Sequence, residues 1–346
     1  MKQRISLVIY CVLTVLFTAC GSKKQNQEKT EQMTEQKNST TLVIFDTDMG
    51  NDVDDALALD MLYKYQDAGK IKILAIMTNK CEDGSAKFLD IMNTWYDYPD
   101  IPIGVCRNGA DCSKGPNYAL SVCMMNLFPT TIKDYNALPD AEKLYRQILS
   151  AQPDGSVVII STGFSTNLAR LLDTQADEYS KLTGKELLAQ KVKYMSLMAG
   201  AFKMAEHTEY NIIMDIPAAK KLFAESPVRI ITSPFEVGLA IEYPGASIEN
   251  DFTWAPQHPM IEAYKAYMKM PYNRPTWDLT AVLEVLEPNK FMTLSEEGKI
   301  TVADDGITTF TPQKGGNQYY LMTNDEQNKQ ILDFFLKIIP SKPKNK

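Results

Sequence analysis

Leu42-Val43-Ile44-Phe45-Asp46-Thr47-Asp48-Met49-Gly50-Asn51-Asp52-Val53-Asp54-Asp55-Ala56-Leu57-Ala58-Leu59 is the stretch that sets the architecture. Leu42 to Phe45 are continuously apolar, the mark of a strand covered on both faces, and Ala56 to Tyr65 carries a helical apolar pattern. Between them five carboxylates fall within residues 46–55. The strand-then-helix rhythm repeats downstream. Strands are expected at Ile71–Met77, Ile101–Val105, Val157–Ser161, Val192–Met198 and Val228–Thr232, with helices at Phe88–Tyr96, Ala141–Leu149, Leu168–Leu172 and Ala218–Ala224. This order predicts an α/β fold, a doubly wound, largely parallel sheet flanked by helices. Helical stretches at Pro259–Met268 and Leu279–Leu286 follow, then C-terminal β-type segments at Ile300–Val302, Thr308–Phe310 and Tyr319–Met322. A final helix is expected at Glu326–Ile338.

The 346 residues are 45% hydrophobic and 23% charged, a globular composition. With 36 Lys and Arg against 43 Asp and Glu the net charge is −7, so the chain carries no basic footprint for nucleic acid. The two histidines, His207 and His258, are too few for a multi-histidine zinc site, so a metal is expected to be held by oxygen.

Lys2 and Arg4 precede the apolar run Ile5–Phe17, and Thr18-Ala19 lead to Cys20, which reads as a secretory signal over residues 1–19. Leu16-Phe17-Thr18-Ala19-Cys20 resembles a bacterial lipobox. That implies a lipoprotein held to the membrane by a lipid on Cys20, in the bacterial cell envelope, on either the periplasmic or the outer-membrane side. The simpler alternatives are an ordinary signal peptide or a membrane helix, although the run is short for a span of about 20 residues. Residues 20–40 are polar and read as a flexible tether. Residues 41–340 read as a single α/β domain, and residues 341–346 as a basic tail. Of the domain's four cysteines, Cys81, Cys106, Cys112 and Cys123, the pair Cys106 and Cys112 is closest in sequence. An oxidising envelope permits disulfides, but spacing does not settle connectivity, and buried small hydrophobes are the alternative.

In a doubly wound sheet a ligand sits beyond the carboxyl ends of the strands. The acidic loop 46–55 occupies such a position. A hard cation coordinated by several oxygens relieves the mutual repulsion of its carboxylates, Gly50 permits a tight turn, and a helix N-terminus favours Asp54 and Asp55. A solvated acidic loop is the plain alternative. Three more segments hold comparable positions: Thr162-Gly163-Phe164-Ser165-Thr166-Asn167-Leu168-Ala169; Met195 to Ala201 with Glu209-Tyr210-Asn211 beyond it; and Arg274-Pro275-Thr276-Trp277-Asp278. If the backbone is extended at Glu209 and Asn211, these two side chains face the same way.

Taken in order, these segments resemble the motifs of the inosine-uridine-preferring nucleoside hydrolase family. Asp46–Leu59 is similar to its DTDPGxDDAxAL signature, with Met49 in place of the proline and an insertion before the Asp pair. The segment from Thr162 resembles TGxLTNIA, Met195–Ala201 resembles the LMGG strand, Glu209–Asn211 resembles EFN, and Trp277–Val282 resembles HDPxAV. Ala75–Asn79 is similar to part of LAITTVVGN. The resemblance implies hydrolysis of the N-glycosidic bond of a nucleoside or related riboside to free base and ribose. It implies Ca2+ held by Asp48, Asp55, the Thr162 carbonyl and Asp278, with Asp52 and Asp54 as competitors within the loop. Asp48 would also be catalytic, accepting the proton of the attacking water. Asp54, Asn79, Glu209, Asn211 and Trp277 would bind substrate. Homo-oligomerisation is left open.

Trp277 stands where the family has a histidine that protonates the leaving base, and an indole cannot act as a general acid near neutral pH. The remaining routes are protonation by Tyr272 or His258, electronic activation, or stacking. Two rival readings exist. Val43–Asp48 also fits the start of a haloacid dehalogenase-like, Mg2+-dependent phosphatase, with Asp46 as nucleophile, Asp48 as acid and Ser161 or Thr162 as the second motif. That reading leaves Asp52, Asp54, Asp55, Glu209 and Asn211 without a task. The other rival is a lipid-anchored nucleoside- or sugar-binding protein without catalysis. Gly163–Asn167 is not GxSxG, and no P-loop is present.

Overall fold

Strand β1, Thr41–Thr47, runs through the middle of the sheet, and its side chains explain its unbroken apolar run. Val43 and Phe45 enter one buried cluster, while Ile44 enters a second on the opposite face. Val158 and Ile160 of β4, Val157–Ser161, divide from Val157 and Ile159 in the same way. A strand covered on both faces has no solvent side on which to place polar residues. The computed structural model describes residues 40–112, 117–204 and 206–344. The expected signal, Cys20 and the tether up to residue 39 lie outside the described residues, as do the last two of the basic tail.

The other strands are β2 (Ile71–Thr78), β3 (Ile103–Val105), β5 (Val192–Met198), β6 (Ile230–Ser233), β7 (Glu242–Tyr243), β8 (Arg274–Pro275), β9 (Thr293–Leu294), β10 (Gly298–Val302), β11 (Thr308–Pro312) and β12 (Gln318–Met322). The main sheet runs β11-β10-β12-β6-β5-β4-β1-β2-β3, with β9 on β12. From β12 to β3 every pairing is parallel; β10, β11 and β9 add antiparallel pairs at the other end. β7 and β8 form a separate antiparallel pair. The expected mostly parallel sheet with C-terminal strands and a closing helix, Asp325–Ile338, is what the chain forms.

This strand order places the switch of winding direction between β1 and β4. β1 connects outward through β2 to β3, and β4 connects the other way through β5 to β6. The loops after these two neighbours therefore diverge and leave a crevice, the preferred ligand position of such sheets. Asp46 sits opposite Ser161 in register, so the acidic loop and Thr162 emerge side by side.

Helices Asp54–Asp67, Asp83–Trp95, Pro259–Tyr267, Trp277–Leu286 and Asp325–Ile338 contribute to one apolar layer, and Ala141–Ser150, Thr166–Asp173, Gly184–Lys191 and Ile216–Glu225 to the other. Several elements are absent from the sequence reading. Tyr118–Met125 is rich in apolar and small residues and shows little amphipathic periodicity; Gly184–Lys191 did carry a legible signal, a capping box between Thr183 and Glu186. The two-residue strands β7, β8 and β9 are too short to leave a pattern.

The structure decides the cysteine pairing that spacing leaves open. Cys112 is disulfide-bonded to Cys81, with Cα atoms 4.7 Å apart, while Cys106 and Cys123 are free and buried. Proximity in space, set by β2 and β3 lying side by side, overrides proximity in sequence. Closing a loop with a sequence separation of 31 stabilises by about 3–4 kcal/mol in the chain-entropy picture. Among the described residues no helix is long and apolar enough to cross a membrane.

Candidate active site

The N-termini of two helices meet at the crevice. Asp54 and Asp55 occupy the first turn of Asp54–Asp67, and Asp278 the first turn of Trp277–Leu286. Neither helix has a side-chain cap from its own N-cap residue, Val53 or Thr276. Asp54 takes over that task across the junction: its Oδ2 accepts the backbone N–H of Asp278 at 3.0 Å. Two positive helix ends aimed at one place favour carboxylates there. Asp278 is thus a first-turn residue, two positions beyond the N-cap Thr276.

Oxygens of Asp54, Asp55 and Asp278 lie within 4.8 Å of one another, all buried. Asp55 is oriented by its neighbours: Oδ1 accepts from the Thr47 hydroxyl and, at 3.2 Å, from the Thr162 hydroxyl. Among the described residues nothing donates a hydrogen bond to its other oxygen, Oδ2, which is buried. A buried carboxylate oxygen left without a donor is costly unless a cation completes it. The donor chemistry of the cluster, oxygen only, fits a hard divalent ion such as Ca2+. Burial first, then mutual repulsion, pushes the carboxyls of Asp55 and Asp278 well above the usual carboxylate range; Asp54 is pushed the same way by burial and by the charge of Asp52.

Asp48 faces the same cavity, its Oδ2 accepting from Asn51 Nδ2 at 3.2 Å. Burial raises its carboxyl to about 6, against the opposing charge of Lys80. Lys80 is itself tied to Asp111 at 3.0 Å. Asp52, the competing acid of the loop, is drawn out of the cluster by Arg274, whose Nε donates to its Oδ1 at 2.8 Å and whose Nη2 donates to its Oδ2.

The cavity, about 300 Å3, is lined by Asp48, Asp54, Asp55 and Asp278, by Thr162, and by Glu209, Asn211 and Trp277 from the remaining motifs. Acids more than two hundred residues apart in sequence converge there. Glu209 and Asn211 do reach one place, though not through an extended backbone. Glu209 is the N-cap of the short helix Tyr210–Met214, and Asn211 lies in its first turn. Glu209 Oε1 accepts from Asn211 N at 2.7 Å, and Oε2 from Gly200 N at 3.1 Å and Ile212 N at 3.2 Å. Burial raises its carboxyl to about 7. Asn211 Nδ2 donates to the carbonyls of Thr162 and Met198 at 3.2 and 3.1 Å, bridging β4 and β5 under the cavity.

Asn79 does not line the cavity. Its Nδ2 donates to Asp46 at 2.8 Å and its Oδ1 accepts from Phe164 N at 3.1 Å, so the amide braces the loops behind the site. A side chain on Gly163 would strike both Asn79 and the backbone nitrogen of Asp48, which explains the glycine after Thr162. Asp46 is fully buried and accepts from Asn79, Asn167 and Tyr145. Burial raises it to about 7 despite these donors. A carboxylate enclosed this way does not present itself to a phosphate ester, so the phosphatase reading loses its nucleophile.

The expected leaving-group acids are placed elsewhere. His258 is fully buried, accepts Met260 N at 3.2 Å through Nδ1, and packs on Trp95 with ring centres 3.9 Å apart. The Tyr272 hydroxyl donates to the Tyr264 carbonyl at 2.8 Å. Neither lines the cavity. Trp277 stacks on Phe235 at 5.4 Å, and its Nε1 donates to the Phe235 carbonyl at 3.0 Å. Phe235, Tyr267 and Arg274 also line the cavity and were given no role by sequence. Phe235 and Tyr267 carried no legible signal, whereas Arg274 lay inside a quoted motif.

Fold and cavity together define an α/β protein with an acid-lined small-molecule site at the winding switch. The chain belongs to the inosine-uridine preferring nucleoside hydrolase family, whose match extends over residues 43–333. It is accordingly a nucleoside hydrolase, an enzyme acting on N-glycosyl bonds. Among solved structures it is similar to a plant nucleoside hydrolase, PpNRh1, with 19% identity, TM-score 0.69 and coverage of 88% of this chain and 100% of that one. It is also similar to a purine-preferring ribonucleoside hydrolase from Gardnerella vaginalis, with 16% identity, TM-score 0.68 and coverage of 87% and 98%. An inosine-uridine preferring nucleoside hydrolase from Bacillus anthracis shows 16% identity, TM-score 0.63 and coverage of 86% and 100%. No curated protein matches the chain.

Proposed function

We propose that this enzyme cleaves nucleosides to free base and ribose with the help of Ca2+ held by Asp48, Asp55, Asp278 and the Thr162 carbonyl, with Asp54 beside them. The observation that carries the reading is the orphaned Asp55 Oδ2 inside a cluster of buried acids. Bound there, calcium supplies the positive charge that acidifies water and gathers ribose hydroxyls. Asp48, on the cavity wall, accepts the proton of the water that attacks C1′. Glu209 and Asn211, which also line the cavity, hold sugar hydroxyls. As the glycosidic bond breaks, positive charge grows on the ribose ring, and the surrounding carboxylates stabilise that transition state more than the neutral nucleoside. Trp277 and Phe235 form an aromatic wall suited to a planar base.

The test is turnover of a panel of purine and pyrimidine nucleosides by the full chain, with and without a chelator. Release of free base that stops on chelation and returns with calcium is the expected result. Base release that ignores the chelator would reject the metal assignment, and no release from any nucleoside would leave the binding-protein reading in its place.

A further inference from the structure

Departure of the base is the step for which the known motifs leave no residue. The C1′–N bond breaks with its electron pair on the base nitrogen, and an unprotonated base leaves as an anion. Trp277 stands where a proton donor would be, His258 and Tyr272 lie away from the cavity, and His207 packs on Phe235 at 3.9 Å without lining it. A permanent cation, Arg274, does line it. Arg274 precedes Trp277 by three residues, and its guanidinium lies over the rings of Trp277 and Tyr267, 5.3 and 5.1 Å from their centres.

Two of its five guanidinium N–H donors go to Asp52; among the described residues the guanidinium makes no other hydrogen bond. Both Nη1 hydrogens and one on Nη2 are therefore available, in a group held rigidly by a bidentate ion pair and two aromatic faces. The side chain is 23% exposed, enough to meet a ligand in the cavity. Asp52 belongs to the insertion that interrupts the acidic signature, so the insertion and the missing histidine meet in one structural unit.

We infer that Arg274, held in place by Asp52, takes over the leaving-group task of the absent histidine by donating hydrogen bonds to the departing base and stabilising its negative charge. This rests on the nucleoside hydrolase reading and deepens it. The guanidinium transfers no proton, because it stays charged at any working pH. Water forms the new C1′–O bond and gives its proton to Asp48; the base anion, held by Arg274, is protonated by water on release. Fixed donors aimed at developing negative charge are worth about 100- to 1,000-fold in rate. Such a device favours bases with an acceptor beside the bond that breaks, such as a pyrimidine O2 or a purine N3.

The experiment compares the full chain with Arg274→Gln on a nucleoside and on 4-nitrophenyl riboside, whose leaving group departs as a stable anion without help. Arg274→Gln is expected to lower kcat/KM for the nucleoside about 100-fold or more and for the nitrophenyl riboside less than about tenfold. The dependence of rate on leaving-group basicity steepens accordingly. Arg274→Lys, which keeps the charge but not the fork, should recover part of the nucleoside rate, and Asp52→Asn should show a smaller loss of the same selectivity. Equal losses on both substrates in Arg274→Gln and Arg274→Lys would overturn the inference, since a latch that only shapes the cavity affects both alike. A wild-type chain that hydrolyses neither substrate would overturn the nucleoside hydrolase reading and this inference with it.

Discussion

Asp48→Asn is expected to lower kcat on a nucleoside by about 100- to 10,000-fold, the range for loss of a positioned general base. The carboxylate faces the cavity and accepts from Asn51, and an asparagine side chain can keep that contact through its own oxygen. At calcium concentrations that saturate the variant, which offset the loss of one charged ligand, fold and nucleoside affinity should therefore change much less than rate. Steady-state kinetics beside an equilibrium binding measurement separates the two. A loss confined to affinity, with kcat unchanged, would place the base elsewhere.

Asp55→Asn should have opposite effects on stability and on function. In the metal-free protein Asp55 is a buried acid, and burial, with repulsion from Asp48 and Asp54, raises its carboxyl well above the ordinary value. A group whose folded value is raised stabilises fully below its unfolded value, near 3.8, and loses that contribution as pH rises through the folded value. Removing the charge should raise the melting temperature of the chelated protein near neutral pH by roughly 2–6 °C. It should also remove most of the stabilisation by calcium, which for the wild type is about 2.7 kcal/mol at one hundred times Kd.

The same reasoning sets the pH dependence. With Asp48 raised to about 6 and Glu209 to about 7, the chelated wild type should lose stability as pH climbs from about 4 to about 7. The gap between calcium-loaded and chelated protein should widen over that window, because the ion replaces protons at the cluster. Calorimetry at pH 4.5, 6 and 7.5 reads this directly. A gap that stays constant, or an Asp55→Asn protein that calcium still protects fully, would separate the cluster from the metal.

Much of the site was legible because its parts follow directly after strands. Burial of Val43 to Phe45 on both faces and the turn at Gly50 place the acidic loop at a strand end, and the same logic placed Thr162 behind β4. Asn79 looked like a cavity residue for the same reason, yet its amide is consumed by Asp46 and Phe164. Nothing local to Asn79 reports which neighbours its amide meets. The extended geometry imagined for Glu209 and Asn211 gave way to a helix start because Glu209 can cap its own next turn.

From the sequence alone came the βα rhythm, the mostly parallel sheet and the acidic loop, since burial periodicity and turn chemistry act over a few residues, while the gathering of the motifs at one cleft was what the family resemblance implied. Only the tertiary structure decided that Asp54 ties Asp278 to the first loop, that Asp52 belongs to Arg274 rather than to the acid cluster, and that Cys112 joins Cys81. Those choices depend on which side chains the crossing of distant helices and strands brings within a hydrogen bond of each other, and charge pairing at that range is settled by three-dimensional distance, which spacing along the chain does not encode.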